Sequence, residues 1–160
     1  MLHVLFLCTG NTCRSPMAEA IFEKKAAECG IDCICSSAAL GFSNGYAVSE
    51  NSVEVCKEIG IDISKHRSRA LNRNDVDITD IFVVMTNEHA DILTQMLNIP
   101  KNKVYILGGG IPDPYCYGIE TYRECRKNIE KGIDELLVII KDMIDKGTLE
   151  VNDDDRPYNQ

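Results

Sequence analysis

A cysteine and an arginine stand six residues apart where an apolar segment is followed by a helical pattern. Cys8 comes directly after the apolar run at residues 2–7, and Arg14 precedes a segment with helical spacing. Gly10 lies between them and permits a tight backbone turn, which lets successive N–H groups point at one anion. The planar guanidinium of Arg14 suits two oxygens of a phosphate group. The spacing therefore predicts a phosphate-binding loop.

The same loop predicts a nucleophile. A helix N-terminus and a neighbouring arginine stabilise a thiolate, so we expect Cys8 to be ionised near neutral pH. A thiolate beneath a bound phosphate can attack phosphorus. Among the eight cysteines only Cys8 has an arginine six residues later. The alternative, a buried strand-end cysteine and a solvated arginine, is less favoured because the motif falls at a strand-to-helix junction with a glycine inside it.

Cleavage of a phosphate ester or phosphoramidate also needs a proton for the leaving group. Asp113 lies in the segment IPDPY, directly after a predicted strand at residues 103–107. It would donate that proton and, once ionised, activate water. Asp-Pro is also an ordinary turn sequence, so the motif alone leaves both interpretations open. Tyr115 and Tyr117 can line the pocket and stack on a flat leaving group, or be ordinary half-buried aromatics.

Strand-like and helix-like segments alternate along the chain. Short apolar runs predict strands at residues 2–7, 33–37, 80–85 and 103–107. Three- and four-residue spacing predicts helices from residue 15 to near residue 30 and at residues 48–59, 88–97 and 119–146. This succession indicates the α/β class, with a four-stranded parallel sheet and helices on both faces. Ligands in such folds bind beyond the carboxyl ends of the strands, where Cys8 and Asp113 both lie.

Composition excludes several classes of protein. The 160 residues include 17 Lys and Arg against 25 Asp and Glu, a net charge of −8. This balance argues against a nucleic-acid-binding protein, which needs an excess of positive charge. No apolar run is long enough to span a membrane, and the apolar start lacks the basic region of a signal peptide. We expect one domain at residues 1–150 and a polar tail at residues 151–160.

Eight cysteines without an export signal indicate reduced thiols in the cytoplasm rather than a disulfide framework. The sequence contains no CxxC pair and no HExxH motif, and its three histidines stand apart. We therefore expect no metal and no cofactor.

The segment VLFLCTGNTCRSPMAEA, followed about a hundred residues later by DPY, resembles the low-molecular-weight protein-tyrosine-phosphatase family. The resemblance extends from Leu2 to about Lys146. It implies the fold of that family, phosphorylated proteins as substrates and inorganic phosphate as product. It also implies a phosphocysteine mechanism, with Cys8 as nucleophile, Arg14 as phosphate clamp and Asp113 as general acid and base.

The resemblance assigns roles to further residues. Ser15 would donate a hydrogen bond to the thiolate, Asn11 would hold the loop in its strained shape, and Ser37 and His66 would brace Asn11. The phosphate would be surrounded by the remaining loop residues, namely Thr9, Gly10, Thr12 and Cys13. In this family the cysteine beside the nucleophile can trap an oxidised nucleophile as a disulfide, which implies a Cys8–Cys13 bond under peroxide. The alternative is that Cys13 is simply buried.

The choice of substrate depends on Thr12. Most tyrosine-directed members of the family have isoleucine or leucine there, whereas CTGNTCRSPMAEA resembles the bacterial protein-arginine-phosphatase branch. The SNG of loop 41–46 and Met85-Thr86 followed by His89 resemble that branch as well. Asp-Pro-Tyr with a second tyrosine nearby resembles the tyrosine branch instead. The resemblance therefore favours phosphoarginine over phosphotyrosine and leaves both open.

Two other functions remain possible from the sequence. A thiol-dependent arsenate reductase shares this loop and needs two further cysteines as a relay, for which Cys116 and Cys125 are available. Asp113 argues against it, because arsenate reduction needs no acid for an organic leaving group. A non-catalytic phosphate-binding module would bind the anion without turnover.

Overall fold

The computed structural model describes residues 1–149 and contains a four-stranded sheet in the order β2-β1-β3-β4. All neighbouring strands are parallel. The strands are β1 (Leu2–Cys8), β2 (Cys33–Ala39), β3 (Ile81–Val84) and β4 (Val104–Ile106). The predicted α/β class and parallel sheet are confirmed. The predicted polar tail at residues 151–160 lies outside the described residues.

Five α-helices accompany the sheet in the described part of the chain. They are α1 (Arg14–Glu28), α2 (Glu50–Lys57), α3 (Arg73–Ile78), α4 (Asn87–Asp91) and α5 (Ile119–Asp145). The helix expected at residues 88–97 is α4 extended by a π-helical turn at Ile92–Met96. Helix α3 was not predicted, because six residues are too few to show periodicity. It begins at a capping box in which Asn72 and Asp75 each accept the other's backbone N–H at 2.9 Å.

Strand β1 is buried on both faces, which explains its unbroken apolar sequence. Val4, Phe6 and Cys8 face a core formed with α1, α2 and α5, and the rings of Phe6 and Phe22 lie 5.3 Å apart. Leu5 and Leu7 face the opposite core, beside the π-helical turn that follows α4. Because side chains alternate along a strand, this register places Cys8 on the side of α1.

The middle of α5 packs closely against the turn that follows β4, Leu107–Gly109. A Cβ atom at Gly132 would lie 3.0 Å from the nitrogen of Gly108 and 3.0 Å from Cγ of Leu107. Leu107 is fully buried, so its side chain has no open space to move into. Because Gly132 has no side chain, α5 can lie this close to the turn and to the loop at residues 110–118 that follows it.

Replacing Gly132 with alanine should destabilise the protein. Alanine has the better helix propensity by about 1 kcal/mol, but a methyl group forced into a close-packed contact costs about 1–3 kcal/mol. We expect a lower midpoint of urea unfolding. Lys131→Ala, at the adjacent exposed position, is the matched control and should stay within about 0.5 kcal/mol of the wild type. A Gly132→Ala protein at least as stable as the wild type would contradict this packing argument.

Candidate functional site

The loop between β1 and α1 is held from its outer side by backbone hydrogen bonds. The N–H groups of Leu40 and Gly41 donate to the carbonyl oxygens of Cys8 and Thr9, both at 2.9 Å. A Cβ atom at Gly41 would lie 3.0 Å from the Thr9 oxygen, so this approach favours glycine. With these carbonyls bonded on the outside, the loop can turn N–H groups toward its centre.

The sulfur of Cys8 lies inside the loop and is the buried centre of the site. The backbone N–H of Asn11 donates to Sγ at 3.2 Å, and Oγ of Ser15 lies 2.9 Å from the same atom. Helix α1 begins here with neither a side-chain cap nor an acidic residue in its first turn, so its positive end faces the loop uncompensated. These N–H and O–H groups and this helix end make the centre of the loop a favourable place for a bound anion.

Asn11 holds the strained conformation of the loop. Its φ is +57°, in the left-handed region that asparagine tolerates better than most residues. The residue is fully buried, and Nδ2 donates to Ser15 Oγ at 2.8 Å. Oδ1 accepts the N–H of Arg69 at 3.1 Å and lies 3.2 Å from Nε2 of His66. The turn was expected at Gly10, which does not have a positive φ; the left-handed residue is the one whose side chain is anchored.

Ser37 does not contact Asn11 directly, so the expectation that it braces Asn11 is wrong in this form. Ser37 Oγ donates instead to Oε2 of Glu19 on α1, at 2.6 Å. The same Glu19 oxygen lies 3.8 Å from Nδ1 of His66, which in turn contacts Asn11. Burial raises the pKa of Glu19 and lowers the pKa of His66. Ser37 therefore acts on Asn11 only through Glu19 and His66.

Arg14 connects the phosphate loop with the loop after β4. Its Nη1 donates to the carbonyl of Ile111 at 2.9 Å, and its Nη2 lies 3.7 Å from Oδ2 of Asp113. The side chain of Arg14 is 5% exposed and that of Asp113 is 52% exposed. The N–H of Tyr115 donates to Oδ1 of Asp113 at 3.1 Å, which orients the carboxyl group. The structure thus brings Cys8, Arg14 and Asp113 to one place.

A cavity of about 510 Å³ opens at this edge of the sheet. Of the predicted residues, those that line it are Cys8, Thr9, Gly10, Thr12, Cys13, Arg14, Asp113 and Tyr115. Asn11 and Ser15 are fully buried and support the loop from below. Tyr117 was expected in the wall but is not among the lining residues; it follows Cys116, which has a φ of +69°, and is 65% exposed.

One wall of the cavity was missed by sequence reasoning. It comes from the segment between β2 and α2 and consists of Phe42, Ser43, Tyr46, Ala47 and Ser49. The glycine- and asparagine-rich sequence of this segment indicated a turn but gave no sign that it faces the site. Ser68 fixes the turn, since its Oγ accepts the Ser43 hydroxyl at 2.8 Å and the Tyr46 N–H at 3.0 Å.

The thiol of Cys13 contacts side chains from outside the loop. Its sulfur lies 3.5 Å from Oγ of Ser49 and 3.7 Å from the hydroxyl of Tyr122. Burial raises the pKa of Tyr122 to about 12. All eight cysteines are free thiols in this structure.

His89 also contacts the loop between β1 and α1, and sequence reasoning did not place it in the site. Its Nε2 lies 3.0 Å from Oγ1 of Thr9, and its backbone N–H donates to Oγ1 of Thr86 at the start of α4. The residue is only 6% exposed, and Nδ1 of its ring has no hydrogen-bond partner among the described residues. Burial, together with the nearby charge of Arg14, lowers the pKa of His89 to about 4.

Residues 1–149 contain neither a cluster of metal-ligating side chains nor a membrane-spanning helix. No group of three or more His, Cys, Asp or Glu side chains in this part of the chain is placed to hold a metal ion. None of its helices combines the length and the apolar character needed to cross a bilayer.

Comparisons of the sequence give relatives along nearly the whole chain. The family described as low molecular weight phosphotyrosine protein phosphatase matches residues 3–147. A protein-arginine-phosphatase of Geobacillus stearothermophilus is 36% identical over 141 residues, which cover 84% of this chain and 93% of that protein. A probable low molecular weight protein-tyrosine-phosphatase, EpsP, of Ralstonia nicotianae is 33% identical over 135 residues, with 82% and 90% covered.

Solved structures lead to the same family. The low molecular weight protein tyrosine phosphatase from T. tengcongensis has a TM-score of 0.80 at 36% identity, covering 86% of this chain and 98% of that one. The YwlE arginine phosphatase, in a cysteine-to-serine mutant with a phosphorylated active site serine, has a TM-score of 0.83 at 29% identity, covering 93% and 100%. This chain therefore belongs to the low molecular weight phosphotyrosine protein phosphatase family and is a protein phosphatase.

Proposed function

We propose that this phosphatase hydrolyses phosphorylated protein side chains through a phosphocysteine intermediate formed on Cys8. The observation that carries the proposal is the placement of the Cys8 sulfur, 2.9 Å from the Ser15 hydroxyl and 3.2 Å from the Asn11 nitrogen, in the cavity that Asp113 borders. A relative trapped with a phosphorylated serine in place of its active-site cysteine supports phosphoryl transfer to the protein.

In the first step the Cys8 thiolate attacks phosphorus and the bond to the leaving group breaks. Asp113 donates its proton to the leaving atom, for which its half-exposed position beside the cavity is suitable. The guanidinium of Arg14 binds phosphate oxygens and stabilises the charge that develops on them. The products of this step are phosphocysteine and the protonated leaving group.

In the second step the Asp113 carboxylate removes a proton from water, and the water oxygen attacks phosphorus. The sulfur leaves as a thiolate, and the Ser15 hydroxyl and Asn11 N–H stabilise its charge. Inorganic phosphate is released and Asp113 is again protonated.

Cys13 has a separate role in the proposal, as the resolving thiol that forms a disulfide with an oxidised Cys8. To reach Cys8, its sulfur must leave the contacts with Ser49 and Tyr122.

Phosphoarginine is the substrate that we favour. Thr12 lines the cavity, and its hydroxyl can orient water or accept an N–H from a guanidinium group, which a leucine or isoleucine cannot do. The protein-arginine-phosphatase relatives support this choice. The second candidate is phosphotyrosine, because the rim of the cavity carries three exposed aromatic rings on which a phenol can stack, Phe42, Tyr46 and Tyr115.

The arsenate reductase alternative is less well supported. It requires thiol relay through Cys116 and Cys125. Cys125 is buried, with its sulfur 4.0 Å from the carbonyl of Pro112, and burial raises its pKa to about 12. A relay cysteine must become a thiolate in order to attack a disulfide, and this environment opposes that ionisation.

Substitution of the reacting groups tests the mechanism. Cys8→Ser should abolish hydrolysis of p-nitrophenyl phosphate, and Asp113→Asn should lower kcat by about 10²–10⁴-fold, because the proton donor is lost. EDTA should leave the rate unchanged. Cys29→Ser, which replaces an exposed cysteine elsewhere, is the matched control and should retain full activity. Substantial turnover by Cys8→Ser would refute the phosphocysteine intermediate.

The substrate proposal is tested by rates on phosphoarginine and phosphotyrosine peptides. The wild type should prefer the arginine peptide, and Thr12→Ile should lower kcat/KM for it while changing the tyrosine rate less. We expect a shift in the ratio of about 10-fold or more, the equivalent of one hydrogen bond to a charged group. Thr121→Ile, at an exposed position on α5, should leave the ratio unchanged. Negligible arginine activity in the wild type would decide for phosphotyrosine.

We assign His89 the role of a positioning residue for the phosphate loop. As a neutral ring it bonds the Thr9 hydroxyl without placing a second positive charge beside Arg14. His89→Ala should raise KM for p-nitrophenyl phosphate by about 5-fold, the value of one lost hydrogen bond. His89→Gln, which keeps a nitrogen near the position of Nε2, should restore most of the loss.

The pH dependence of stability tests the buried, neutral state of His89 independently of activity. Because the folded pKa is about 4 and the ordinary value is 6.5, the unfolded chain binds a proton between these values that the folded protein does not. Stability should therefore fall as the pH drops from 6.5 to 4. His89→Gln cannot titrate, so its free energy of unfolding should fall less steeply than that of the wild type across this window. Equal slopes would show that His89 is not kept neutral by the fold.

A further inference from the structure

Two cysteines outside the phosphate site lie side by side on β2. Cys33 and Cys35 are separated by one residue, so their side chains leave the same face of the strand. Their sulfur atoms are 3.6 Å apart, and both residues are half-buried free thiols. Cys35 pairs with Val4 in the sheet, four residues before Cys8 and thus about 13 Å along the strand from it. The pair is therefore separate from the nucleophile.

Both cysteines pack against the core on the α1 side of the sheet but remain partly exposed. β2 is the first strand in the order β2-β1-β3-β4, so its outer edge has no strand beside it at Cys33 and Cys35 among the described residues. The one bridge recorded on that side, Ala39 to Ala70, lies at the far end of the strand. Because the two residues are only partly buried and no strand covers the adjoining edge, a small reagent can reach the sulfurs.

The two thiols differ in acidity. The hydrogen bond from Cys35 lowers the pKa of Cys33, and the same hydrogen bond raises the pKa of Cys35. Burial and the nearby negative charges of Asp32 and Glu23 oppose ionisation of Cys33 but do not cancel this effect. Cys33 is thus the thiol that ionises first, and Cys35 holds the proton beside it. This is the arrangement of an attacking and a resolving thiol.

We propose that Cys33 and Cys35 form a second redox site, which a hydroperoxide oxidises to an intrastrand disulfide. The Cys33 thiolate attacks one peroxide oxygen, the O–O bond breaks and hydroxide leaves, which gives a sulfenic acid on Cys33. Oxidation of Cys33 removes the thiolate whose hydrogen bond and charge raise the pKa of Cys35, so Cys35 can now release its proton. Its sulfur attacks the sulfur of Cys33, an S–S bond forms, and hydroxide leaves and combines with the Cys35 proton. With hydrogen peroxide, two thiols and one peroxide give one disulfide and two molecules of water.

Strand geometry makes this disulfide easy to reverse. Residues two apart in a strand have Cα atoms roughly 6.6 Å apart, near the upper end of the range that a disulfide spans. The sulfurs must approach from 3.6 Å to bonding distance, which requires β2 to pucker at its free edge. A bond formed under such strain is reduced readily by small thiols, so the site cycles between two states.

The test uses the full chain carrying Cys8→Ser and Cys13→Ser, which removes any disulfide within the phosphate loop. After treatment with hydrogen peroxide, alkylation of the remaining thiols should show two thiols lost per chain. Dithiothreitol should restore both, and tandem mass spectrometry should place the bond between Cys33 and Cys35. Cys29→Ser, which removes the exposed cysteine nearest in sequence, is the matched control and should leave the bond unchanged.

Two results would overturn the proposal. One is a disulfide that persists when Cys35 is replaced by serine or alanine, since the bond would then join Cys33 or another thiol to a different partner. The other is a chain in which Cys33 and Cys35 stay reduced or pass only to sulfinic and sulfonic acids. Circular dichroism of each variant establishes that it is folded, so that a missing disulfide reports on chemistry at the pair.

Discussion

The buried side chain of Asn11 is the interaction on which the phosphate site depends. The loop can present N–H groups to an anion only if one residue takes a left-handed conformation, and this conformation costs a non-glycine residue about 1 kcal/mol or more. Asn11 offsets the cost with contacts on both ends of its amide, to Ser15 on one side and to His66 and Arg69 on the other. A glycine would adopt the same turn but would leave these partners without a hydrogen bond in a buried region, which is the costlier result.

The sheet provides the rigid base for this loop. Because β1 is buried on both faces, its register cannot slip without exposing one apolar set of side chains, and Cys8 is therefore fixed at the strand end. Helix α1 starts immediately after the loop, so its N-terminus has the same fixed relation to the sulfur. Arg14, in the first turn of that helix, bonds the Ile111 carbonyl and so ties the loop after β4 to the same base. Strand β1, helix α1 and the loop after β4 are thus held in fixed positions around one cavity.

The sequence was sufficient to predict the fold, and it singled out Cys8, Arg14 and Asp113, which the structure brings to one cavity. Alternating strands and helices specify the sheet, and the spacing of Cys8 and Arg14 follows from one strand-to-helix loop. The errors concern contacts between segments distant in sequence. Glu19 was overlooked because nothing in its helical pattern indicates that it accepts a hydrogen bond from β2. The turn was assigned to Gly10 because glycine is the usual left-handed residue. The expectation that Asn11 is braced came from the family resemblance, since no local pattern indicates its contacts with His66 and Arg69.

Burial divides the site into two parts with different tolerance for change. The groups that we propose to bind phosphate are enclosed, with the Arg14 side chain only 5% exposed, and removal of that side chain leaves the Ile111 carbonyl without its partner. The groups that meet the leaving group are open, since Asp113 is 52% and Tyr115 66% exposed, and their neighbours are loops. A change at the rim alters which leaving group fits without disturbing the anion site. Thr12 lies where the two parts meet, in the loop between β1 and α1 and in the lining of the cavity. Under the proposed function, a single side chain there can therefore change the substrate while the phosphoryl chemistry stays the same.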